Sequence, residues 1–276
     1  MSKPLHISFL KNTGTTLQTS DGKDVEVWEL SHIPCENILS AWAKHFREHY
    51  CLDSQIDILR NGTGKSRRDY LTDIKFPSKT TKLGPSTRAG DFGEILVADF
   101  LKFIENYDVL SKTTRYHSRI NRDVSDPGCD VIGVRFIGFP SLNPKDELAV
   151  FEAKAKFTGN ATSETSKNRL QDAINDSAKD KFRVAVSLNA IKQRFIDKNN
   201  NNISIVERFQ NEADNPYRTI NGAVALVCDS NYSEYIATSA DASNHPNQTN
   251  LRLIIIKGQK MMEFVHELYR RAADEA

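Results

Sequence analysis

The segment ELAVFEAKAK, residues 147–156, restricts the fold of this chain more than any other stretch. Leu148, Ala149, Val150 and Phe151 run without a polar break, the pattern of a buried strand. Glu152, Lys154 and Lys156 then fall on alternate positions and share one face with Leu148 and Val150. One face of a single strand therefore passes from apolar to charged. Taken alone the triplet is a weak signal, because about one Glu-x-Lys is expected by chance in a chain this long, and a strand end reaching solvent looks the same.

The remaining elements give this strand its surroundings. VEVWEL (25–30) alternates like a strand, and ENILSAWAKHFREHY (36–50) sets Ile38, Leu39, Trp42, Phe46 and His49 at helical spacing. FPSKTTKLGPSTRAG (76–90) reads as a linker. DFGEILVADFLKFIE (91–105) is a helix, DVLSKTTRYHSR (108–119) an interrupted strand, and CDVIGVRFIG (129–138) a strand. One helical pattern covers 168–196, and the asparagine run at 199–202 is a loop. GAVALVCD (222–229) and LRLIIIKG (251–258) are strands, and 259–273 carries a helical stripe of Met261, Phe264, Val265, Leu268 and Tyr269. The order α-β-β-β-α-β, followed by β-α, predicts an α/β (α+β) fold: a mixed sheet flanked by helices over residues 86–276, with 1–85 as a small N-terminal α+β region.

The 276 residues are 39% hydrophobic and 26% charged, which fits a folded chain rather than a disordered one. Apolar runs such as LIII (253–256) are too short to span a membrane, and Lys11 breaks the apolar N-terminus before it resembles a signal peptide. Cys35, Cys51, Cys129 and Cys228 form no C-x-x-C pair, so a reduced, cytoplasmic protein with no structural zinc is expected. The net charge of +1 hides a basic segment. Between residues 60 and 90, Arg60, Lys65, Arg67, Arg68, Lys75, Lys79, Lys82 and Arg88 are opposed by Asp69 and Asp73 alone. Such a segment suits a phosphate backbone as well as it suits a solvated loop. Lys65, Arg67 and Arg68 are its candidate DNA contacts, and Lys156 extends the surface beyond Lys154. GTGKS (62–66) is no P-loop, since Leu59 stands where the first glycine belongs.

The chemistry gathers on the strands at 129–138 and 147–156. Pro127-Gly128 fits the centre of a type II turn, after which the chain enters the first strand at Asp130. If the two strands pair antiparallel, Asp130 falls within a residue or two of Glu152 and Lys154. Adjacent ionised carboxylates repel, and a hard divalent cation resolves the conflict. On the helix at 91–105, Glu94 shares a face with Val97, Ala98 and Leu101, which a favourable helix dipole does not explain. The set points to metal-assisted phosphodiester hydrolysis. Mg²⁺, or Mn²⁺ in its stead, would sit on Asp130 and Glu152, with Glu94 completing its surroundings. Lys154 would orient or deprotonate the attacking water, or neutralise charge on the phosphorus.

Glu94 on a helix, Gly128-x-Asp130 and Glu152-x-Lys154 resemble the PD-(D/E)XK nuclease superfamily, whose core order matches residues 88–229. The resemblance implies a restriction-endonuclease-like fold and Mg²⁺-dependent cleavage of DNA. It places metal ligands at Asp130 and Glu152, the catalytic lysine at Lys154 and an accessory glutamine at Gln171. Cys129 stands where the motif has a literal proline. RAGDFGEILVADFL (88–101), GCDVIGV (128–134) and FEAKAK (151–156), with GTGKSRRDYL (62–71), are similar to the HamA family, nuclease effectors of the bacterial Hachiman anti-phage system. That resemblance implies a complex with a superfamily 2 helicase (HamB-like), which restrains the nuclease until suitable DNA is engaged. A sequence-specific restriction-type endonuclease and a catalytically silent DNA-binding scaffold are the competing readings.

Two other signals are weaker. His45 and His49 stand four apart on a helix, a zinc spacing, but no third ligand is evident in the sequence, and ordinary helix histidines are expected. Cys129 has no histidine partner in its vicinity, so burial rather than nucleophilic chemistry is expected.

Overall fold

The computed structural model describes residues 3–110, 116–125, 127–138, 140–158, 168–199 and 202–276. The strands are β1 (Leu10–Gln18), β2 (Asp24–Leu30), β3 (Asp108–Val109), β4 (Val131–Arg135), β5 (Glu147–Lys156), β6 (Arg218–Cys228) and β7 (Leu251–Gly258). They form a mixed sheet in the order β1-β2-β7-β6-β5-β4-β3. The inner four run parallel, and the outer pairs β1-β2, β5-β4 and β4-β3 are antiparallel. The helices are α1 (Glu36–Arg47), α2 (Ile56–Arg60), α3 (Arg67–Tyr70), α4 (Gly84–Phe103), α5 (Arg169–Ser177), α6 (Asp180–Asp197), α7 (Ile203–Glu207), α8 (Tyr235–Thr238) and α9 (Met261–Asp274), preceded by a 3₁₀ turn at Leu5–Phe9.

Alternation along β5 and β6 divides the core between the two sheet faces. Ala149, Phe151, Ala153, Val224 and Leu226 pack against α1, α4 and α9 on one face. On the other, Ala223, Ala225 and Val227 pack against Leu170, Ala173 and Ile174 of α5. Leu148, Val150, Ile132 and Val134 on that same face pack against Leu188, Ile191 and Phe195 of α6. The second face thus carries two apolar clusters with a seam between them, and Glu152 and Lys154 point into the seam.

Several elements depart from the sequence pattern for identifiable reasons. The segment expected as a linker is half helix: α4 begins at Gly84 with Pro85 in its first turn, where a missing N–H breaks no helical bond. The helical pattern over 168–196 breaks after Ser177, because α5 and α6 serve different apolar clusters. The strand expected over 108–119 is confined to Asp108–Val109, and residues 111–115 lie outside the described residues. The described residues 3–85 share the sheet and the core of the rest. β2 pairs in parallel with β7, Arg252 donates to Glu26 at 2.6 Å, and Arg47 donates to the Ala272 carbonyl at 3.1 Å.

Two devices hold β5 in place. At its start, buried Arg208 reaches Asp146 at 3.0 Å and also donates to the carbonyls of Asn143, Asn215 and Pro216. At its middle, the Phe151 ring lies directly over Gly222, its partner on β6, and a Cβ there would overlap the ring. Gly222→Ala is therefore expected to destabilise the protein by about 2 kcal/mol, the usual cost of overpacking, read as a lower urea midpoint.

Candidate active site

The β4-β5 ladder ends at the pair Val131–Phe151, so one further step sets Asp130 opposite Glu152. Opposed residues share a face, so both carboxylates belong to the seam. Asp130 Oδ2 accepts the Ala153 N–H at 3.0 Å, which holds Asp130 against the edge of β5. Glu152 is buried, with 2% exposure. Lys154 Nζ lies 2.5 Å from Glu152 Oε1 and 2.7 Å from Asp176 Oδ2 on α5. Lys179 meets the other oxygen of Asp176 at 2.6 Å.

A further carboxylate enters from α6. The break between α5 and α6 puts Asp180 in the first turn of α6, where the helix dipole favours an anion. It is 1% exposed, and the thiol of Cys129 is the hydrogen-bonding group that faces its carboxyl. Arg183 stays 3.7 Å away. Glu152 Oε2 is buried without a partner among the described residues. Burial, and then the charge of Asp130, push the Asp180 carboxyl up to about 7. Burial also raises Glu152, against the pull of Lys154. For Lys154 burial acts downward, but Glu152 and Asp176 outweigh it and the ammonium is held above its ordinary range. Burial raises the Cys129 thiol, in keeping with an inert buried cysteine. Asp130, Glu152 and Asp180 bring carboxylate oxygens, the ligand type of a hard divalent cation, to one seam, although their ligand atoms do not all come within 4.8 Å of one another.

The other candidate residues are placed differently. Glu94 sits on α4, which packs on the opposite face of the sheet, and Tyr116 donates to its Oε2 at 2.6 Å. One turn earlier, Asp91 takes a bidentate pair from Arg119 at 2.6 and 2.9 Å and a bond from Tyr50 at 2.7 Å. Among the described residues, the trio with ligand atoms within 4.8 Å of one another is His6, His45 and Asp99, and Glu94, Asp130 and Glu152 do not form one. Gln171 is bound to the backbone of Asp241, donating at 3.1 Å and accepting at 2.7 Å, so Asp176 is the α5 side chain that reaches Lys154. Lys65 pairs with Asp73 at 2.7 Å, Arg68 with Asp274 at 2.6 Å, and Arg67 with Asp57. Ser66 caps α3 by accepting from Asp69 N–H at 3.1 Å, so GTGKS forms a turn and a helix cap. Lys156 ends β5, half-buried, on the same face as Lys154.

A family model described as HamA matches residues 6–272. The chain belongs to the HamA family. No curated protein matches it. The HamA match takes in both sides of the sheet, the N-terminal strands included, and not the seam alone. Among the described residues no helix is long and apolar enough to cross a membrane.

In this HamA-family chain, sequence reasoning missed Asp176 and Asp180. The available signal was their spacing of four within one helical pattern, but the kink that turns Asp180 to the sheet has no proline or glycine to mark it. Asp180 gives a testable pH dependence. Its carboxyl is raised from 3.8 to about 7, so the native state holds the proton more tightly. That stabilising contribution is complete below the unfolded value and is lost as pH rises through about 7. Between pH 5 and pH 8, without divalent ions, the wild type should lose about 2 kcal/mol relative to Asp180→Asn, measured by urea unfolding.

Proposed function

We propose that this chain is the Mg²⁺-dependent DNA nuclease subunit of a Hachiman-type anti-phage defence system, held and triggered by a superfamily 2 helicase partner (HamB-like). The observation that carries this reading is the seam, where Asp130, Glu152 and Lys154 converge and Glu152 keeps one buried oxygen without a donor. Family membership supports the defence setting.

Asp130, Glu152 and the Ala153 carbonyl would hold the ion, with Asp180 adding charge behind them. When bound, Mg²⁺ supplies Lewis-acid polarisation of the phosphate and lowers the pKa of a water nucleophile. The raised pKa of Lys154 keeps it an ammonium, which favours neutralising charge on the phosphate over abstracting a proton. Asp176 holds Lys154 from the helix side and fixes where that charge sits. Lys65, Arg67, Arg68 and Lys156 are proposed to meet the DNA backbone, with phosphates replacing Asp73, Asp57 and Asp274 as partners of the first three.

The test is cleavage of unrelated linear and circular DNAs, with Mg²⁺ or with EDTA, and with or without the helicase. A Mg²⁺-dependent smear is expected. Discrete fragments would favour a restriction-type enzyme, and no cleavage under any condition would favour a silent scaffold. Asp130→Asn and Lys154→Ala should each slow cleavage by about 100-fold or more, with circular dichroism checking that each variant is still folded. A fully active Lys154→Ala protein would remove the mechanism.

A further inference from the structure

On the sheet face opposite the seam, the 3₁₀ turn at Leu5–Phe9 brings His6 against α1 and α4. His6 Nε2 lies 2.9 Å from Asp99 Oδ2. His45 Nε2 lies 3.0 Å from the same oxygen and 3.1 Å from Oδ1. One ligand atom from each of the three residues is within 4.8 Å of the other two. The His6 ring stacks on Trp42 with centroids 4.6 Å apart and planes 4° from parallel, which fixes its orientation. His6 and Asp99 are buried, whereas the His45 side chain keeps 23% of its surface open and leaves a route in from solvent.

We propose that His6, His45 and Asp99 form a binding site for a borderline divalent transition ion of the Zn²⁺ class, pinning the N-terminal turn to α1 and α4. Asp99 is fully buried and contacts both histidine rings through its carboxylate, so the three side chains already converge their ligand atoms on one point. Zinc bonds of about 2.0–2.2 Å to nitrogen and oxygen place tetrahedral ligand atoms roughly 3.3 Å apart. The two histidine–aspartate separations, 2.9 and 3.0 Å, are within a few tenths of an ångström of that spacing. Two nitrogens and one oxygen suit zinc, and three protein ligands leave a fourth position for water. The all-oxygen seam suits a harder ion, so donor chemistry sorts the two sites. His6, His45 and Asp99 come from three distant parts of the chain, and Asp99 lies on the same helix as Asp91 and Glu94.

The site is tested on the full chain, stripped with chelator, dialysed against Zn²⁺ and assayed for bound metal. Co²⁺ serves as the visible-absorbing substitute. The wild type should retain one equivalent of zinc and unfold at a higher temperature with it. His45→Gln, at the partly open position, should fold but bind zinc about 100-fold or more weakly. Asp99→Asn, which preserves size but removes the charge, should lose the ion as well, while Asp130→Asn should keep it. Equal zinc retention by wild type and His45→Gln, or no zinc on either, would overturn the proposal and leave the trio a hydrogen-bonded buttress. The result is independent of whether the chain cuts DNA.

Discussion

The antiparallel register of β4 on β5 is the constraint from which the rest of the structure follows. Side chains on a strand alternate with a period of two, so a slip of one residue would turn Glu152 and Lys154 into the layer filled by Phe151 and Ala153. The register is secured from both sides: the apolar run Leu148–Phe151 has a different partner layer on each face, and the Phe151 ring requires a bare position at Gly222. Asp146 and Arg208 fix the start of the strand, so the charged half has nowhere to slide.

Burying Glu152 and Asp180 would be prohibitive on a continuous apolar face. It is tolerated because the two clusters on that face belong to different helices and leave a polar strip where α5 meets α6. Within the strip, Lys154 supplies positive charge to Glu152 and Asp176, while Asp180 keeps its proton to higher pH than an ordinary aspartate. Charge balance there is local and incomplete, as it is at sites that bind charged ligands.

Much of this was legible in the sequence. ELAVFEAKAK and LRLIIIKG are strands over the whole of their length, because uninterrupted apolar runs have few other ways to be buried. Antiparallel pairing of the two strands was enough to set Asp130 beside Glu152. What escaped depends on contacts between remote segments. The alternation in VEVWEL marks a strand, but no local property names β7 as its neighbour. A break between two helices of similar periodicity leaves no residue signature, so Asp180 stayed hidden. The pairing of His45 with His6 and Asp99 joins α1 to the first turn and to α4, which spacing within one helix cannot reveal.

The placement of β2 has a consequence for how the molecule is made. Its lateral neighbour is β7, and the Arg252–Glu26 bond spans 226 positions of sequence. A chain emerging from the ribosome has the β4-β5 hairpin well before β7 can bridge β6 to the amino-terminal strands. Contacts of such separation are slow to form, and the hairpin waits on an unfinished sheet with open edges. The sheet that carries the seam is thus completed late, when translation has passed residue 258. For a protein proposed to cut DNA, synthesis itself then acts as a delay on hazard, with nascent or prematurely terminated chains left without a closed fold.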